Sequence, residues 1–290
     1  MQKKQQIGFI GQGWIGKNYA DDFEDRGFDV VRYSLEPKYI QNKEEVSKCK
    51  IVFVAVPTPT TKKGFGDSIL KNAIKGTGIG STVVIKSTLP IGKTLEIQKM
   101  YPDRFIMHSP EFLVEATARF DASNPERNII GIPYQTEEYK KVAKKVIAIL
   151  PKAPFENICS SNEAELIKYA HNIHGYIQIV FTNLLFDLAE KTNMNWETLK
   201  DSFKADKMMC HYYLNPIHKS GRGAGGHCFV KDFEAFIYMH RDLINDKLGT
   251  KTLESIRDKN IDLLLKTKKD LDIVFGIYGK NVKSINKKLS

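Results

Sequence analysis

The sequence predicts an α/β fold in which a doubly wound parallel sheet is followed by a mainly α-helical domain built on one long helix. This prediction rests first on a glycine-rich turn, residues 11–16, that follows a short apolar segment near the start of the chain. Strand-like and helix-like segments then alternate as far as Pro151, and beyond it the helical pattern is almost continuous. We therefore expect a first domain over 1–153, a helical domain over 154–265 and a short tail over 266–290.

The glycine-rich turn has the spacing G-x-G-x-x-G and lies between a strand-like segment, 6–10, and an amphipathic helix-like stretch. Glycines at this spacing permit a tight turn and a close approach of the backbone to a pyrophosphate, which the helix N-terminus then stabilises. The first domain is therefore predicted to be a Rossmann-like domain that binds a dinucleotide. The residues of the turn assigned to this cofactor are Gly11, Gly13, Trp14, Ile15 and Gly16.

The end of the second predicted strand, 29–33, bears on the choice between NAD and NADP. An acidic residue that binds the adenine ribose is expected about 20 residues after the glycines. Ser34 stands at the strand end, and Glu36, two residues later, could bind the ribose hydroxyls. Arg32, Ser34 and Lys38 could equally accept a 2′-phosphate. The pattern favours NAD and leaves NADP open.

Further strands are predicted at 51–56, 82–86, 104–107 and 128–132. The unbroken apolar run at 51–56 is typical of a parallel strand covered on both faces. Ligands of such sheets bind beyond the carboxyl ends of the strands, so the loops that follow are candidate binding loops. Each loop taken singly could instead be a proline-containing turn. The loop residues assigned to the cofactor are Val56, Pro57, Thr58 and Thr88.

The helical domain is predicted to begin with a helix from about Ser160 to Asn193. Lys168, Asn172 and Gly175 recur at helical spacing on one face of it. They could form a polar notch for a substrate oxygen, or they could be a solvated surface. A different face carries an apolar stripe made of Leu166, Ala170, Ile173, Ile177, Phe181, Leu184 and Leu188.

The candidate nucleophile is Cys228, which follows the glycine-rich stretch 223–226 and precedes an apolar-periodic segment that predicts a helix. A helix N-terminus favours the thiolate, and glycines allow a substrate close to the backbone. The alternative is a buried structural cysteine.

Composition narrows the class of protein. The chain has 290 residues, 42% hydrophobic and 27% charged, which is enough for two globular cores. Its four cysteines are scattered, so neither a disulfide framework nor a metal site is expected. A formal charge of +10 suits an anionic partner, but no nucleic-acid-binding motif is present. No membrane-length apolar run or signal-peptide core is found, so a cytoplasmic protein is expected.

Seven motifs in this order resemble the UDP-glucose/GDP-mannose dehydrogenase family, over a stretch from Ile7 to about Arg241. The motifs are Gly11-Gln12-Gly13-Trp14-Ile15-Gly16, Val54-Ala55-Val56-Pro57-Thr58-Pro59, Lys86-Ser87-Thr88, Pro110-Glu111-Phe112-Leu113, Asn124-Pro125-Glu126-Arg127, Glu165-Leu166-Ile167-Lys168-Tyr169-Ala170-His171-Asn172 and Gly225-Gly226-His227-Cys228-Phe229-Val230-Lys231-Asp232.

The resemblance implies oxidation of the C6 alcohol of a nucleotide sugar, with UDP-glucose as the first candidate, to the carboxylate by two NAD. Cys228 would trap the aldehyde as a thiohemiacetal and then form a thioester. Lys168 and Asn172 would stabilise the oxyanions, and a homodimer through the long helix is implied. Glu111 would be the general base for the hydrolytic water, with Asp232 and Thr88 as positioning groups. The implied substrate-binding residues are Glu111, Phe112, Leu113, Lys168, Asn172, Gly225 and Gly226.

Family members continue into a third domain that holds the nucleotide. In this chain only the segment 271–280 resembles part of that domain, namely its opening strand. We therefore expect reduced or altered nucleotide recognition. Two other functions stay open. One is a two-domain β-hydroxyacid dehydrogenase, which needs no cysteine. The other is a catalytically silent protein that binds a dinucleotide or a nucleotide sugar.

Overall fold

A computed structural model of the protein describes residues 6–61, 64–209 and 211–284. The strands are β1 (Gln6–Ile10), β2 (Asp29–Tyr33), β3 (Ile51–Val54), β4 (Thr60–Thr61), β5 (Gly64–Phe65), β6 (Thr82–Ile85), β7 (Phe105–His108), β8 (Arg127–Ile132), β9 (Phe155–Ser160), β10 (Ile217–His218) and β11 (Gly221–Arg222). The α-helices are α1 (Trp14–Asp25), α2 (Lys43–Ser47), α3 (Ser68–Lys75), α4 (Lys93–Met100), α5 (Ala118–Ser123), α6 (Glu137–Ile149), α7 (Ser161–Lys191), α8 (Trp196–Ala205), α9 (Gly226–Ile244), α10 (Lys247–Thr267) and α11 (Leu271–Tyr278).

The first of two structural units is built on a seven-stranded sheet with the order β2-β1-β3-β6-β7-β8-β9. Neighbouring strands are parallel except at β7 and β8, where a single antiparallel pair joins His108 to Gly131. All four residues of β3 are buried, as expected for a strand covered on both faces. The predicted doubly wound sheet is confirmed.

Aromatic side chains form the centre of the first unit's core. Phe9 of β1 stacks on Phe53 of β3 with ring centroids 5.0 Å apart, and Phe23 of α1 meets both rings edge-on. Such contacts add stabilisation beyond the burial of apolar area. This packing holds α1 against the sheet, with its N-terminus at the carboxyl end of β1.

The helical pattern expected directly after Pro151 begins later in the structure, because β9 first adds a parallel strand beside β8. β9 is an edge strand with no fully buried residue, so the apolar periodicity that marks the inner strands does not mark it. The first unit therefore extends to Lys168, apart from the short strands β4 and β5, which group with the second unit.

The second unit comprises β4, β5 and the described residues from Tyr169 onwards. Its core packs α7 against α9, with Tyr176 stacked on Phe233 at a centroid distance of 3.9 Å. The long helix α7 starts where predicted, at a capping box. Ser160 Oγ accepts the N–H of Glu163, and Glu163 Oε2 accepts the N–H of Ser160.

The segment that resembles an opening strand, 271–280, is helical instead. Val274 of α11 is buried together with Val230, Ile261 and Leu264, so α11 packs on α9 and α10. A strand there would need an edge to pair with, whereas a helix can bury this apolar segment against its neighbours. Across the described part of the chain, no helix is both long and apolar enough to cross a membrane.

Candidate active site

The glycine-rich turn after β1 leaves room for a pyrophosphate. A Cβ at Gly11 would lie 2.2 Å from the carbonyl oxygen of Ala55, and one at Gly16 would lie 1.9 Å from that of Gly11. A Cβ at Gly13, by contrast, would meet no described atom within 4 Å. Gly13 is the N-cap residue of α1, and because it is a glycine it has no side chain that could occupy the helix N-terminus. The turn therefore offers an open helix N-terminus, which fits a dinucleotide pyrophosphate.

The end of β2 favours NAD over NADP. Arg32 is buried, and its guanidinium donates to Glu24 at 2.9 Å, to Asp21 at 2.7 Å and to Gln12 at 3.3 Å. Because two carboxylates already neutralise this guanidinium and take its N–H groups, it is a poor donor to a 2′-phosphate. Glu36 is exposed at the strand end, where its backbone N–H donates to Ser34 Oγ.

Two of the predicted binding loops lie side by side. Ser87 Oγ donates to the carbonyl oxygen of Val56 at 2.7 Å and accepts its N–H at 3.0 Å. Thr58 Oγ1 donates to the carbonyl oxygen of Thr88 at 3.0 Å. These bonds bring together the loops after β3 and β6, which carry the cofactor candidates Val56, Pro57, Thr58 and Thr88.

Glu111 and Lys168 form a buried ion pair. Lys168 Nζ lies 2.9 Å from Glu111 Oε1 and donates to its backbone oxygen at 2.7 Å, and both side chains are almost fully buried. Leu113 N–H donates to the other carboxylate oxygen. Burial raises the pKa of Glu111, but the Lys168 ammonium outweighs it and holds the net pKa below its usual value. The solvated-surface alternative for Lys168 is therefore wrong.

A second buried lysine belongs to the same cluster and was not predicted. Lys86 follows β6, donates to Ser109 Oγ at 3.1 Å and lies 4.1 Å from the centroid of the Tyr19 ring. Burial, and to a lesser extent the Lys168 ammonium, lower the pKa of Lys86 to about 7, against the opposing pull of Glu111. The sequence signal that could have identified Lys86 is its position at the end of a buried apolar strand, where a solvated amine is not expected.

Glu165, one turn before Lys168, ties α7 to the start of α4. Its carboxylate is fully buried and accepts the N–H of Gly92 at 2.6 Å, the N–H of Thr94 at 2.7 Å and the hydroxyl of Thr94 at 2.6 Å. A carboxylate at a helix N-terminus is stabilising. Glu165 therefore fixes the loop after Thr88 with respect to the turn of α7 that carries Lys168.

In the second unit, Asn172 and Asp232 form a buried pair. Asn172 Nδ2 donates to Asp232 Oδ2 at 2.6 Å, and Lys231 Nζ lies 2.7 Å from Oδ1. Asp232 thus orients the amide of Asn172, which lies one turn after Lys168 on α7. Gly175, one turn further on, allows Phe229 close to the helix, because a Cβ there would lie 3.1 Å from the Phe229 ring.

Cys228 occupies the first turn of α9, and its side chain is exposed. The alternative of a buried structural cysteine is therefore wrong. Burial raises the pKa of the thiols of Cys49 and Cys159 to about 11, which makes both poor nucleophiles. Cys210 lies outside the described residues.

The glycines before Cys228 differ in what surrounds them. A Cβ at Gly225 would lie 2.0 Å from Asp270 Oδ2, whereas one at Gly226 would meet no described atom within 4 Å. Gly226 also has a φ of +78°, which disfavours other residues. Of the two predicted substrate-contacting glycines, Gly226 is the one whose open side could admit a ligand.

The doubly wound sheet with its open glycine-rich turn, joined to a helical unit that presents a thiol, defines a two-domain dinucleotide-binding dehydrogenase fold. Residues 37–150 match the NAD binding domain of the UDP-glucose/GDP-mannose dehydrogenase family, and residues 162–261 match its central domain. The chain belongs to this family. The match to the NAD binding domain confirms the predicted cofactor.

Curated relatives agree with this assignment. The UDP-glucose 6-dehydrogenase of Campylobacter jejuni is 32% identical over 288 residues, covering 91% of this chain and 70% of the relative. That of Rhizobium meliloti is 30% identical over 215 residues, covering 69% of this chain and 48% of the relative. The chain spans about half the length of most of the curated relatives that it matches.

Solved structures show the same fold. A UDP-glucose dehydrogenase from Pyrobaculum islandicum has a TM-score of 0.75 at 23% identity, covering 88% of this chain and 68% of that one. A 3-hydroxyisobutyrate dehydrogenase from Mycobacterium tuberculosis has a TM-score of 0.71 at 14% identity, covering 98% of this chain and 99% of that one. Because both classes of dehydrogenase share the fold, the choice between them depends on the site.

Proposed function

We propose that the protein is an NAD-dependent nucleotide-sugar dehydrogenase. It oxidises the C6 alcohol of its substrate, with UDP-glucose as the first candidate, to the uronic acid. The observation that carries this proposal is the exposed Cys228 in the first turn of α9, in a chain of this family. A β-hydroxyacid dehydrogenase has no use for such a thiol.

The proposed chemistry uses Cys228 as a covalent anchor. NAD held at the glycine-rich turn 11–16 would supply the hydride acceptor for the two oxidation steps. The C6 alcohol first loses a hydride and a proton to give an aldehyde, and the Cys228 sulfur adds to the aldehyde carbon. Loss of a second hydride and a proton converts this thiohemiacetal into a thioester. Water then adds to the thioester, and the carbon–sulfur bond breaks to release the carboxylate and the thiol.

Lys168 and Asn172 are proposed to stabilise the oxyanions of these steps. Fixed donors stabilise developing charge best when they do not have to reorganise. Lys168 is fixed by its two bonds to Glu111, and Asn172 by its bond to Asp232.

Glu111 is proposed to accept a proton from the hydrolytic water, with Thr88 as a positioning group. The lowered pKa of Glu111 keeps it ionised at neutral pH, as a base must be, although a low pKa also makes it a weak base. Its carboxylate also holds the Lys168 ammonium, so the proton that it accepts weakens that ion pair.

A homodimer and a cytoplasmic location complete the proposal. Ile173 of the apolar stripe of α7 is buried in the core, but the C-terminal part of the stripe lies on the surface, with Phe181 46%, Leu184 46% and Leu188 64% exposed. A second copy that covers this stripe would bury it, and closed two-fold dimers are the commonest homo-oligomers.

Incubation with NAD and a panel of UDP- and GDP-sugars tests the proposal, with NADH absorbance and mass spectrometry of Cys228 as readouts. We expect two NADH per sugar oxidised and a sugar adduct on Cys228. Cys228→Ala should lower the rate by on the order of 10³-fold or more, while the matched control Cys159→Ala should retain activity. Full activity of Cys228→Ala on a small hydroxy acid would favour the β-hydroxyacid alternative. Binding of NAD without oxidation of any sugar would favour a silent binding protein.

A further inference from the structure

The backbone of the glycine-rich segment before Cys228 is held by side chains from one neighbouring stretch of chain. Asn260 of α10 makes two bonds to Ala224, accepting its N–H at 2.7 Å and donating to its carbonyl oxygen at 2.9 Å. Further bonds come from the end of α10 and the turn after it, residues 267–270, which we call the clamp turn. They run from Arg222 N to Thr267 Oγ1 (3.1 Å), from Lys269 Nζ to Gly223 O (2.8 Å) and from Gly226 N to Asp270 Oδ2 (2.7 Å).

The clamp turn also explains why glycines alternate in this segment. A Cβ at Gly221 would lie 2.4 Å from Thr267 Oγ1, and one at Gly225 would lie 2.0 Å from Asp270 Oδ2. Both contacts are far shorter than a real Cβ permits. These glycines therefore admit the clamp turn to the backbone, whereas the family resemblance implied that Gly225 contacts the substrate.

The clamp turn has an unusual backbone. Lys268 and Asp270 have φ values of 57° and 51°, in the left-handed region that disfavours residues other than glycine. Such conformations persist when surrounding bonds over-determine them, and they cluster at functional sites. Lys269, between the two, is buried, and burial lowers its pKa.

Packing of an apolar side chain also holds the beginning of α9. Val230, two residues after Cys228, is buried with Val274 of α11 and Leu264 of α10. The helix α11 begins directly after the clamp turn, so one continuous stretch of chain holds α9 by its first N–H group and by its first fully buried apolar side chain.

We propose that Asp270 is a positioning residue for Cys228. It caps the first N–H of α9 from outside the helix and thereby fixes the turn that presents the thiol. The inference depends on the proposed function only in taking Cys228 as the nucleophile. Asp270 itself is not proposed to touch the substrate.

The test compares Asp270→Gly with Asp270→Asn. Glycine removes the carboxylate but tolerates the left-handed backbone, so it avoids the strain that alanine would add. Asparagine keeps an acceptor oxygen and also tolerates this backbone. Asp272→Asn is the matched control, because Asp272 is exposed and its replacement removes the same charge two residues away.

Two readouts distinguish positioning from general stability. Hydrogen exchange of a peptide covering 223–230 should be faster by roughly tenfold or more in Asp270→Gly, with the exchange of the first unit unchanged. The kcat for sugar oxidation should fall by roughly tenfold to a hundredfold with an unchanged KM for NAD. Asp270→Asn should stay within about threefold of the wild type in both, and Asp272→Asn should match the wild type.

Unchanged exchange over 223–230 in Asp270→Gly would overturn the inference, and so would an equal increase throughout the chain. Should Asp270→Gly fail to fold, Asp270→Ser gives the same test, because its shorter side chain withdraws the acceptor from the Gly226 N–H. The exchange readout needs no turnover. If the wild-type protein oxidises no nucleotide sugar, the proposed function fails while the exchange data still decide the role of Asp270.

Discussion

Two regions of α7 differ in what they bury: polar Lys168 and Asn172 lie beside buried apolar residues of the core, whereas part of the apolar stripe is exposed. Lys168 and Asn172, on one face, are 4% and 6% exposed, whereas Leu184 and Leu188, on the other, are 46% and 64% exposed. A surface helix ordinarily buries its apolar stripe and exposes its charges. Burial of a lysine without an opposing charge is costly, and Lys168 has the Glu111 carboxylate as its partner, while Asn172 donates to Asp232. We therefore propose that Lys168 and Asn172 serve the chemistry and that the exposed apolar residues contact another chain.

Among the changes that test this comparison, the largest effect is expected from Lys168→Ala on the buried face. It should lower kcat by about 10²- to 10³-fold, because a fixed donor for the oxyanion is lost. It should also lower the free energy of unfolding by about 3–5 kcal/mol, because the Glu111 carboxylate stays buried without its ammonium. Steady-state kinetics and urea denaturation measure the two effects.

Lys191→Ala is the matched control, since Lys191 lies on the same helix but is exposed. It should change the unfolding free energy by less than about 0.5 kcal/mol. The double variant Lys168→Met with Glu111→Gln should recover part of the stability, because neither group is then charged. A Lys168→Ala protein with wild-type stability would contradict the buried ion pair.

A smaller effect is expected from the pH dependence that Lys86 confers. The pKa of Lys86 is about 7 in the folded protein, below its ordinary value of 10.5. Between these values the unfolded chain binds a proton that the folded chain does not, so stability rises with pH. From about pH 7 to about pH 9 the wild type should gain about 2 kcal/mol relative to Lys86→Met. Urea denaturation of both proteins at the two pH values measures this gain. An equal change in unfolding free energy in both proteins would show that folding does not lower the pKa of Lys86.

Much of the fold could be predicted because its signals are local. The glycine-rich turn, β1 and β2 depend on neighbouring residues, and their bounds are as predicted. The edge strand β9 and the helix α11 could not be predicted, because tertiary contacts decide both. β9 is an exposed partner of β8, and α11 is an apolar segment whose form depends on the helices that it meets.

The candidate site was predictable as a set of residues but not as a set of contacts. Helical spacing placed Lys168 and Asn172 one turn apart, but no local pattern pairs Lys168 with Glu111 or Asn172 with Asp232. Their partners are 57 and 60 residues away in the chain. Lys86 was missed for the same reason, since its environment comes from Tyr19 and Ser109 on other elements.

The smallest effect on folding is expected at the exposed face of α7. Leu184→Glu should change the unfolding free energy of the monomer by less than about 0.5 kcal/mol, because the side chain already meets solvent. The same change puts a charge into the proposed dimer contact, so it should weaken association by roughly tenfold or more. Sedimentation over a range of protein concentrations measures this shift. Leu248→Glu is the matched control, because Leu248 is 78% exposed and lies on a different helix, α10. If the wild-type protein stays monomeric at every concentration, a second copy does not cover the stripe. If a dimer forms and tolerates Leu184→Glu, the dimer contact lies elsewhere. Only a dimer disrupted by Leu184→Glu and not by Leu248→Glu assigns the apolar face of α7 to self-association.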